Sequence, residues 1–428
     1  MLLQTDEQTI EDLRLFSKRD QPGIYEIYNN TCTRGGESLL QQMFRHPLSD
    51  AEAITQRISI IAAFARLAIP FPFDAGTLDI AEKYLSDAED NASQKSVMGD
   101  KEISNGVAAV ITLLQQVKHF AIDGDLKQIA GLEKERSRLL SILGTAAMLP
   151  VFNEQAKARL SYAAVTAYDL LFRQKEKQTL REVLHFIYQL DACISVAQVA
   201  VKRKFIFPLV HAKGTNLLKI EGVYHPALKD PVVNSLTLNS SKTIVFLTGA
   251  NMAGKSTFLR SFSTALYIAH MGFPVAASAM EFSVMDGIYT TINLPDNLGI
   301  GASHFYAEVL RLKKIATELS LGKNLFVLFD ELFRGTNVKD AEEGTVAVTH
   351  AFAGKTSSMF IISSHIVEAA AALSQKSNIG FHYLPTVMNG THPQYTYKLE
   401  EGITSDRHGM LIIRNEGILE TLKHGKKE

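Results

Sequence analysis

Residues 243–257, Thr-Ile-Val-Phe-Leu-Thr-Gly-Ala-Asn-Met-Ala-Gly-Lys-Ser-Thr, constrain this chain more than any other stretch. The apolar run 244–247 has no polar alternation, which is the pattern of a strand buried on both faces. It passes directly into a glycine loop and then into a helix that should begin near Lys255 and run to about Ala269. The loop satisfies G-x-x-x-x-G-K-[ST] in full. Gly249 and Gly254 allow the backbone to curl, so that the N–H groups of Ala250, Asn251, Met252 and Ala253 can point inward at phosphate oxygens. Lys255 brings a positive charge to the β- and γ-phosphates, and the Ser256 hydroxyl is a ligand type suited to Mg²⁺. Thr257 lies in the first helical turn, where the positive end of the helix dipole adds to the same anion site. The unit predicts a parallel sheet with a nucleoside triphosphate bound at its edge.

A second apolar run, Leu325-Phe-Val-Leu-Phe329, ends in Asp330-Glu331. An acidic residue at the carboxyl end of a central parallel strand lies beside the phosphate loop, where Asp330 can hold Mg²⁺ through water. Glu331 would then polarise the attacking water, which favours hydrolysis over a simple binding switch.

At 428 residues the chain has length for two or three domains. Its 46% hydrophobic and 21% charged residues are those of an ordinary globular protein. The formal net charge of -1 gives no global attraction to nucleic acid, so any DNA contact must come from local basic patches. Cys32 and Cys193 are far apart and lack metal spacing; reduced thiols fit a cytoplasmic compartment. No run approaches about eighteen consecutive apolar residues and no signal peptide opens the sequence, so no membrane partner is expected.

The pattern changes near residue 205. Residues 1–205 read as a helical domain, and 206–428 as short apolar strands alternating with helices, giving an α + α/β class. In the first part, Val107, Val110, Ile111, Leu114 and Val117 mark one helical face. A helix is expected over 124–143, and another of about six turns over 179–201. The latter is a stiff lever or a plain bundle helix; the pattern leaves both open. Lys202-Arg-Lys204 reads either as a solvated helix end or as a nucleic-acid contact. In the second part, strands are expected over 243–248, 324–329 and 358–362, with an edge strand around 395–399.

Three further segments narrow the class: Ser303-His-Phe-Tyr-Ala-Glu308, Arg334-Gly-Thr-Asn337 and Ser363-Ser-His365. With them, the stretch 248–257 resembles the T-G-P-N-M-G-G-K-S-T of the MutS family of DNA mismatch-repair ATPases, a branch of the ABC-type fold. Asp330-Glu-Leu-Phe-Arg-Gly-Thr-Asn337 is similar to the family's D-E-I-G-R-G-T-S, and His225-Pro226 matches a His-Pro pair that the family carries. Thr31-Cys-Thr-Arg-Gly-Gly36 and Leu190-Asp-Ala-Cys-Ile-Ser-Val-Ala197 resemble the start of its core domain and the end of its lever. Ala250, Ala253 and Phe333 replace a Pro and two Gly, and His304 stands where Thr is usual; none removes a catalytic group.

The resemblance implies a helical core/lever module followed by an ABC-type P-loop ATPase domain with a mostly parallel sheet. It implies ATP and Mg²⁺ as cofactors and a homodimer in which Ser303 reaches the partner's γ-phosphate. His365 would contact the γ-phosphate and the water from its own subunit, while Arg334 would be structural at the dimer seam. By the resemblance, the family's mismatch-reading and connector domains are expected to be missing from this sequence, and 51–190 is expected to be too short for a full lever plus clamp. The expected function is a DNA-associated ATPase tied to mismatch repair or recombination control, with double-stranded or branched DNA, or a DNA-repair protein, as partner. The alternative is a nucleotide-gated protein–protein module that does not touch DNA. A small-molecule kinase fits less well, because Glu331 and the 303–308 segment suit a hydrolytic composite site.

Overall fold

The computed structural model describes residues 1–18, 21–86, 98–122, 124–155, 160–250, 252–294, 304–389, 392–404 and 418–423. The chain forms two compact units. One comprises Met1–Ile27, His46–Thr55 and Phe205–Glu428; the other comprises Tyr28–Arg45 and Gln56–Lys204. The break near 205 is where the sequence pattern changes, but the first 27 residues and 46–55 group with the sheet-containing unit rather than with the helices. Their hydrogen bonds give the reason. Gln4 forms a parallel bridge with Gly287 at the sheet edge, Leu48 N–H donates to His270 O at 2.9 Å, and Ser49 Oγ donates to Met285 O at 2.6 Å. An edge strand with unpaired backbone groups recruits a cover, and helical periodicity carries no information about which edge needs one.

In that unit a six-stranded sheet has the spatial order Glu400–Glu401, Ile379–Tyr383, Ile244–Thr248, Met359–Ser363, Leu325–Asp330, Gly287–Thr291. All neighbours pair parallel except the two-residue strand at one edge. Every residue of the three central strands is buried, as their unbroken apolar runs require. Phe329, Phe352 and Phe360 stack through the core, with the last two rings 4.4 Å apart. The register sets Asp330 opposite Ser363, and Leu247 opposite Ser363 from the other side. The carboxyl ends of three strands thus converge where the glycine loop begins. A second sheet, ordered Leu209–His211, Ala279–Ser283, Leu217–Val223, Asn234–Asn239, has short half-exposed strands and was not foreseen from the sequence. Of the expected strand at 395–399 only Tyr395 belongs to one, in His392–Tyr395 paired with Thr386–Asn389.

The other unit is helical. Asp100–Ile122 buries the face built on Val107, Val110, Ile111, Leu114 and Val117. The expected helix over 124–143 is instead two short 3₁₀ turns, Asp125–Gln128 and Ala130–Leu132, before a helix proper at Glu133–Leu143. Gly131 passes so near Ile60 that a Cβ would lie 2.7 Å from its Cγ1; this close approach, not helix propensity, shapes the stretch. The long helix is Lys177–Arg203, ending at Lys204 in a left-handed cap. It is long and apolar enough to cross a membrane by composition alone, yet 78% of that apolar window is buried within the protein, the mark of a core helix. Its Asp191 accepts from Cys32 N–H at 2.9 Å, Thr33 N–H at 2.8 Å and Thr33 Oγ at 2.7 Å. A carboxylate far away in sequence therefore caps the amino end of helix Arg34–Arg45. Gly36 is required there, because its Cβ would lie 2.2 Å from Asp191 Oδ2.

Candidate nucleotide site

Strand Ile244–Thr248 delivers the chain to Gly249 (φ +145°), and Gly254 (φ +95°) turns it into helix Lys255–His270. Both conformations favour glycine. Between them Ala250 is half-buried, Met252 is exposed in the left-handed region at φ +73°, and Ala253 is buried. Gly254 has a second constraint, since a Cβ there would lie 2.9 Å from the ring of Tyr397. Asn251 and Ser303 lie outside the described residues.

Lys255 is buried, and its ammonium donates to Gly249 O at 2.6 Å and Ala250 O at 3.1 Å. The loop is curled around its own lysine. Burial lowers the Lys255 pKa from its usual range; Glu331 and Asp330 oppose that shift, and Arg334 adds to it. A buried ammonium with two carbonyls as partners is a strong receptor for an incoming anion, because the anion restores the solvation that burial removed. Ser256 is the exposed next residue, and its hydroxyl donates to Asp330 Oδ2. The second oxygen, Oδ1, accepts from Ser363 Oγ. Thr257 is exposed and borders a cavity of 270 Å³ that is also lined by His225, Asn234, Gly254, Phe258 and Tyr397. Among the described residues, the His225 Nε2 in this wall is buried with no hydrogen-bond partner. Burial first, then the charges of Arg260 and Arg14, push its pKa down to about 4, so the ring is neutral at pH 7.

Glu331 follows Asp330 in the left-handed region at φ +56°. Its N–H donates to Ser363 O at 3.1 Å. Its carboxylate faces the loop, with Oε1 3.9 Å from Lys255 Nζ and Oε2 3.1 Å from Arg334 Nε. Phe333, at the Gly of the resembled D-E-I-G-R-G-T-S pattern, is also left-handed at φ +66° and is buried, its ring 5.6 Å from that of Phe305. Three non-glycine residues with strained backbone, Met252, Glu331 and Phe333, thus crowd one site. Each costs on the order of 1–3 kcal/mol and persists only where its surroundings enforce it.

The structure brings Gly249, Ala250, Lys255, Ser256, Asp330 and Glu331 together. His365 lies in the turn after strand Met359–Ser363, exposed, and no hydrogen bond of its ring is found among the described residues. Two residues of the class-narrowing segments make contacts that the sequence did not foresee. Ser363 matters only through the register that sets it against Asp330. Arg334 grips Glu331 and donates to Asp330 O at 3.0 Å within its own chain.

The donor set fits Mg²⁺. Among the described residues no group of three or more His, Cys, Asp or Glu forms a ready-made cage. Mg²⁺, however, commonly takes one or two carboxylates and completes its shell with water and phosphate oxygens. The Ser256 hydroxyl and the Asp330 carboxylate are two hard oxygens already in contact beside the loop.

Comparison with known proteins agrees with this geometry. Residues 8–197 match the family model described as MutS domain III, and residues 245–424 that described as MutS domain V. The chain is 25% identical over 492 aligned positions to DNA mismatch repair protein MSH7 of Arabidopsis thaliana, covering 97% of this chain and 43% of that protein. It is 28% identical over 267 residues to DNA mismatch repair protein MutS of Persephonella marina, covering 60% of this chain and 30% of that protein. A MutS of an Exiguobacterium species is 30% identical over 212 residues, 47% of this chain and 24% of that protein. The chain belongs to the MutS family, and it spans less than half the length of each of these relatives.

Proposed function

We propose that this protein binds ATP with Mg²⁺ and hydrolyses it, and that it serves DNA mismatch repair or a related process such as recombination control. The observation that carries the reading is the meeting of Lys255, Ser256, Asp330 and Glu331 at the carboxyl ends of adjoining parallel strands. In this reading the sheet-bearing unit is a P-loop ATPase of the ABC type. The loop N–H groups and Lys255 bind the phosphates, and Lys255 exchanges its two loop carbonyls for phosphate oxygens. Ser256 and Asp330 would hold Mg²⁺, which neutralises charge on the phosphates and orients them. Glu331, fixed at one oxygen by Arg334, turns the other toward the loop and accepts the proton of the attacking water. The 270 Å³ cavity beside Gly254 and Thr257 receives the nucleoside half.

Single-turnover assays test this directly. Glu331→Gln should keep ATP binding and lose roughly 10²-fold or more in rate, the scale of a lost general base. Lys255→Ala should weaken ATP binding by about 10-fold to 100-fold, from a lost charge-assisted contact of about 1.5–3 kcal/mol. Near-normal turnover in Glu331→Gln removes it from the mechanism.

We further propose a homodimer in a cytoplasmic compartment, with Ser303 completing the partner's site and His365 closing on the γ-phosphate when nucleotide arrives. Mixing a Lys255 variant with a Ser303 variant should restore partial activity, since one composite site in the heterodimer is intact. Mixtures that exchange subunits yet never exceed the sum of their parents exclude the shared site. Double-stranded or branched DNA is the proposed partner. The net charge of -1 favours one alternative, a nucleotide-gated module for a repair protein that leaves DNA untouched. ATPase rates with and without matched, mismatched and branched duplexes, across a salt series, separate the two.

A further inference from the structure

Asp12 is a buried carboxylate that the mechanism above does not use. It ends the short helix Glu7–Asp12 in the amino-terminal segment that covers the sheet edge. Four donors converge on it. Oδ2 accepts from Ile292 N–H at 2.9 Å and Thr290 Oγ at 3.0 Å, and Oδ1 accepts from Asn293 N–H at 2.9 Å and Gln8 Nε2 at 3.0 Å. Its own carbonyl accepts from Arg260 Nε at 2.7 Å, and Arg260 belongs to the helix that begins at Lys255. Gln8 Nε2 also donates to Asn293 O at 2.9 Å. With its amide oriented to satisfy both neighbours, Asn293 accepts from Arg260 at 3.1 Å. The turn at 292–293 is therefore fixed from the amino-terminal segment on one side and from the phosphate-loop helix on the other.

The same turn reaches the catalytic carboxylates. Ile292 O accepts from Arg334 at 3.4 Å, and Arg334 holds Glu331 at 3.1 Å and Asp330 O at 3.0 Å. Residues 291–294, Asp330 and Arg334 line one cavity of 390 Å³. A continuous chain of polar contacts thus runs from Asp12, through the 292–293 backbone and Arg334, to Glu331. A simple edge cover needs only backbone pairing of the kind Gln4 makes; a four-donor carboxylate on this one turn is more than cover requires.

We infer that Asp12 is a positioning residue for ATP hydrolysis: it fixes the 292–293 turn against the phosphate-loop helix and so sets, through Arg334, where the Glu331 carboxylate stands. This rests on the ATPase reading above. Without Asp12 two backbone N–H groups lose their acceptor, the turn relaxes, and Arg334 follows it. Nucleotide binding, which depends on the loop and Lys255, is left in place. The rate is not, because displacement of a catalytic group by about 1 Å costs up to about 10²-fold.

The test compares Asp12→Ala, Asp12→Asn and, as a control in the same amino-terminal segment, Gln4→Ala, whose side-chain oxygen accepts from Lys323 at 2.8 Å. Each full-length variant is assayed for binding stoichiometry and affinity with a fluorescent ATP analogue, and for single-turnover ATP hydrolysis with Mg²⁺. The expected result is affinity within about twofold of wild type throughout, with rate per bound nucleotide falling about 10-fold or more in Asp12→Ala. Asp12→Asn keeps one acceptor oxygen and should fall between, while Gln4→Ala matches wild type. If Asp12→Ala does not fold, Asp12→Asn against Gln4→Ala decides. Loss of binding stoichiometry with an unchanged rate per bound nucleotide means a merely structural role and overturns the inference, as does an unchanged rate at full stoichiometry. A wild-type chain that binds ATP without hydrolysing it overturns the ATPase reading instead.

Discussion

Two buried aspartates, Asp191 in the helical unit and Asp330 in the sheet unit, are 1% and 5% exposed and yet serve opposite ends. Asp191 takes backbone N–H groups and one hydroxyl from a single short stretch, residues 32–33, just before helix Arg34–Arg45. It is a cap, and every donor it meets gains a permanent acceptor. Asp330 takes two serine hydroxyls from different elements, Ser256 and Ser363, and sits between left-handed residues and a buried lysine. Hydroxyls can turn away from a carboxylate to meet an ion or phosphate, whereas backbone N–H groups in a helix start cannot. In the proposed reading, the rotatable hydroxyls and strained backbone around Asp330 leave it free to meet an ion, whereas the backbone donors around Asp191 hold it as a cap.

The sharpest way to break this contrast is to remove both carboxylates in turn. Asp330→Ala should cost about 10²- to 10³-fold in Mg²⁺-dependent turnover, several kcal/mol of lost metal-assisted stabilisation. Its urea midpoint should move less than that of Asp191→Ala. The latter should lose about 3 kcal/mol of stability, because several buried donors are orphaned at once. Its turnover per folded molecule should stay at the wild-type level. Phosphate release and urea melts on the two variants measure both effects; a catalytic defect in Asp191→Ala without loss of stability would end the distinction.

Strain offers a smaller test. Phe333→Gly restores the family's residue and relieves a left-handed backbone, worth about 1–2 kcal/mol. It also deletes a buried ring, worth about 3–5 kcal/mol. The ring should win, leaving a net loss of about 2 kcal/mol in a urea melt. A gain in stability would mean that the strain, not the Phe305 contact, dominates at this site.

A third test is of pH dependence. His270 is fully buried, with Nδ1 bonded to Leu266 O at 2.9 Å and Nε2 accepting from Met285 N–H at 3.1 Å. Burial pushes its pKa down to about 4 from an ordinary 6.5, and His225 shifts likewise. Between those values the unfolded chain binds protons that the native one refuses. Stability is therefore full above about pH 6.5 and falls as pH drops toward 4, by about 1.4 kcal/mol per pH unit for each ring. His270→Gln should flatten the slope of unfolding free energy between pH 6.5 and 5, and a slope unchanged in that variant would place the proton uptake elsewhere.

The strands at 244–248, 325–330 and 359–363 were legible in the sequence because a strand buried on both faces must be written as an unbroken apolar run. The loop at 249–257 was legible for a related reason: positive φ, phosphate approach and helix entry each demand a residue type at a fixed spacing. These are local requirements, and sequence order records them. The pairing of Asp330 with Ser363, the grip of Arg334 on Glu331, the cap that Asp191 places on residues 32–33 and the attachment of residues 1–27 to the sheet edge were not legible. Each depends on strand register or on contacts between residues far apart in the chain, where one hydrogen-bonding side chain reads like any other. The sequence by itself determined which chemical groups the site contains. Tertiary structure alone decided which of them face one another, because the buried donors and acceptors of distant segments are satisfied only once the sheet has closed its register.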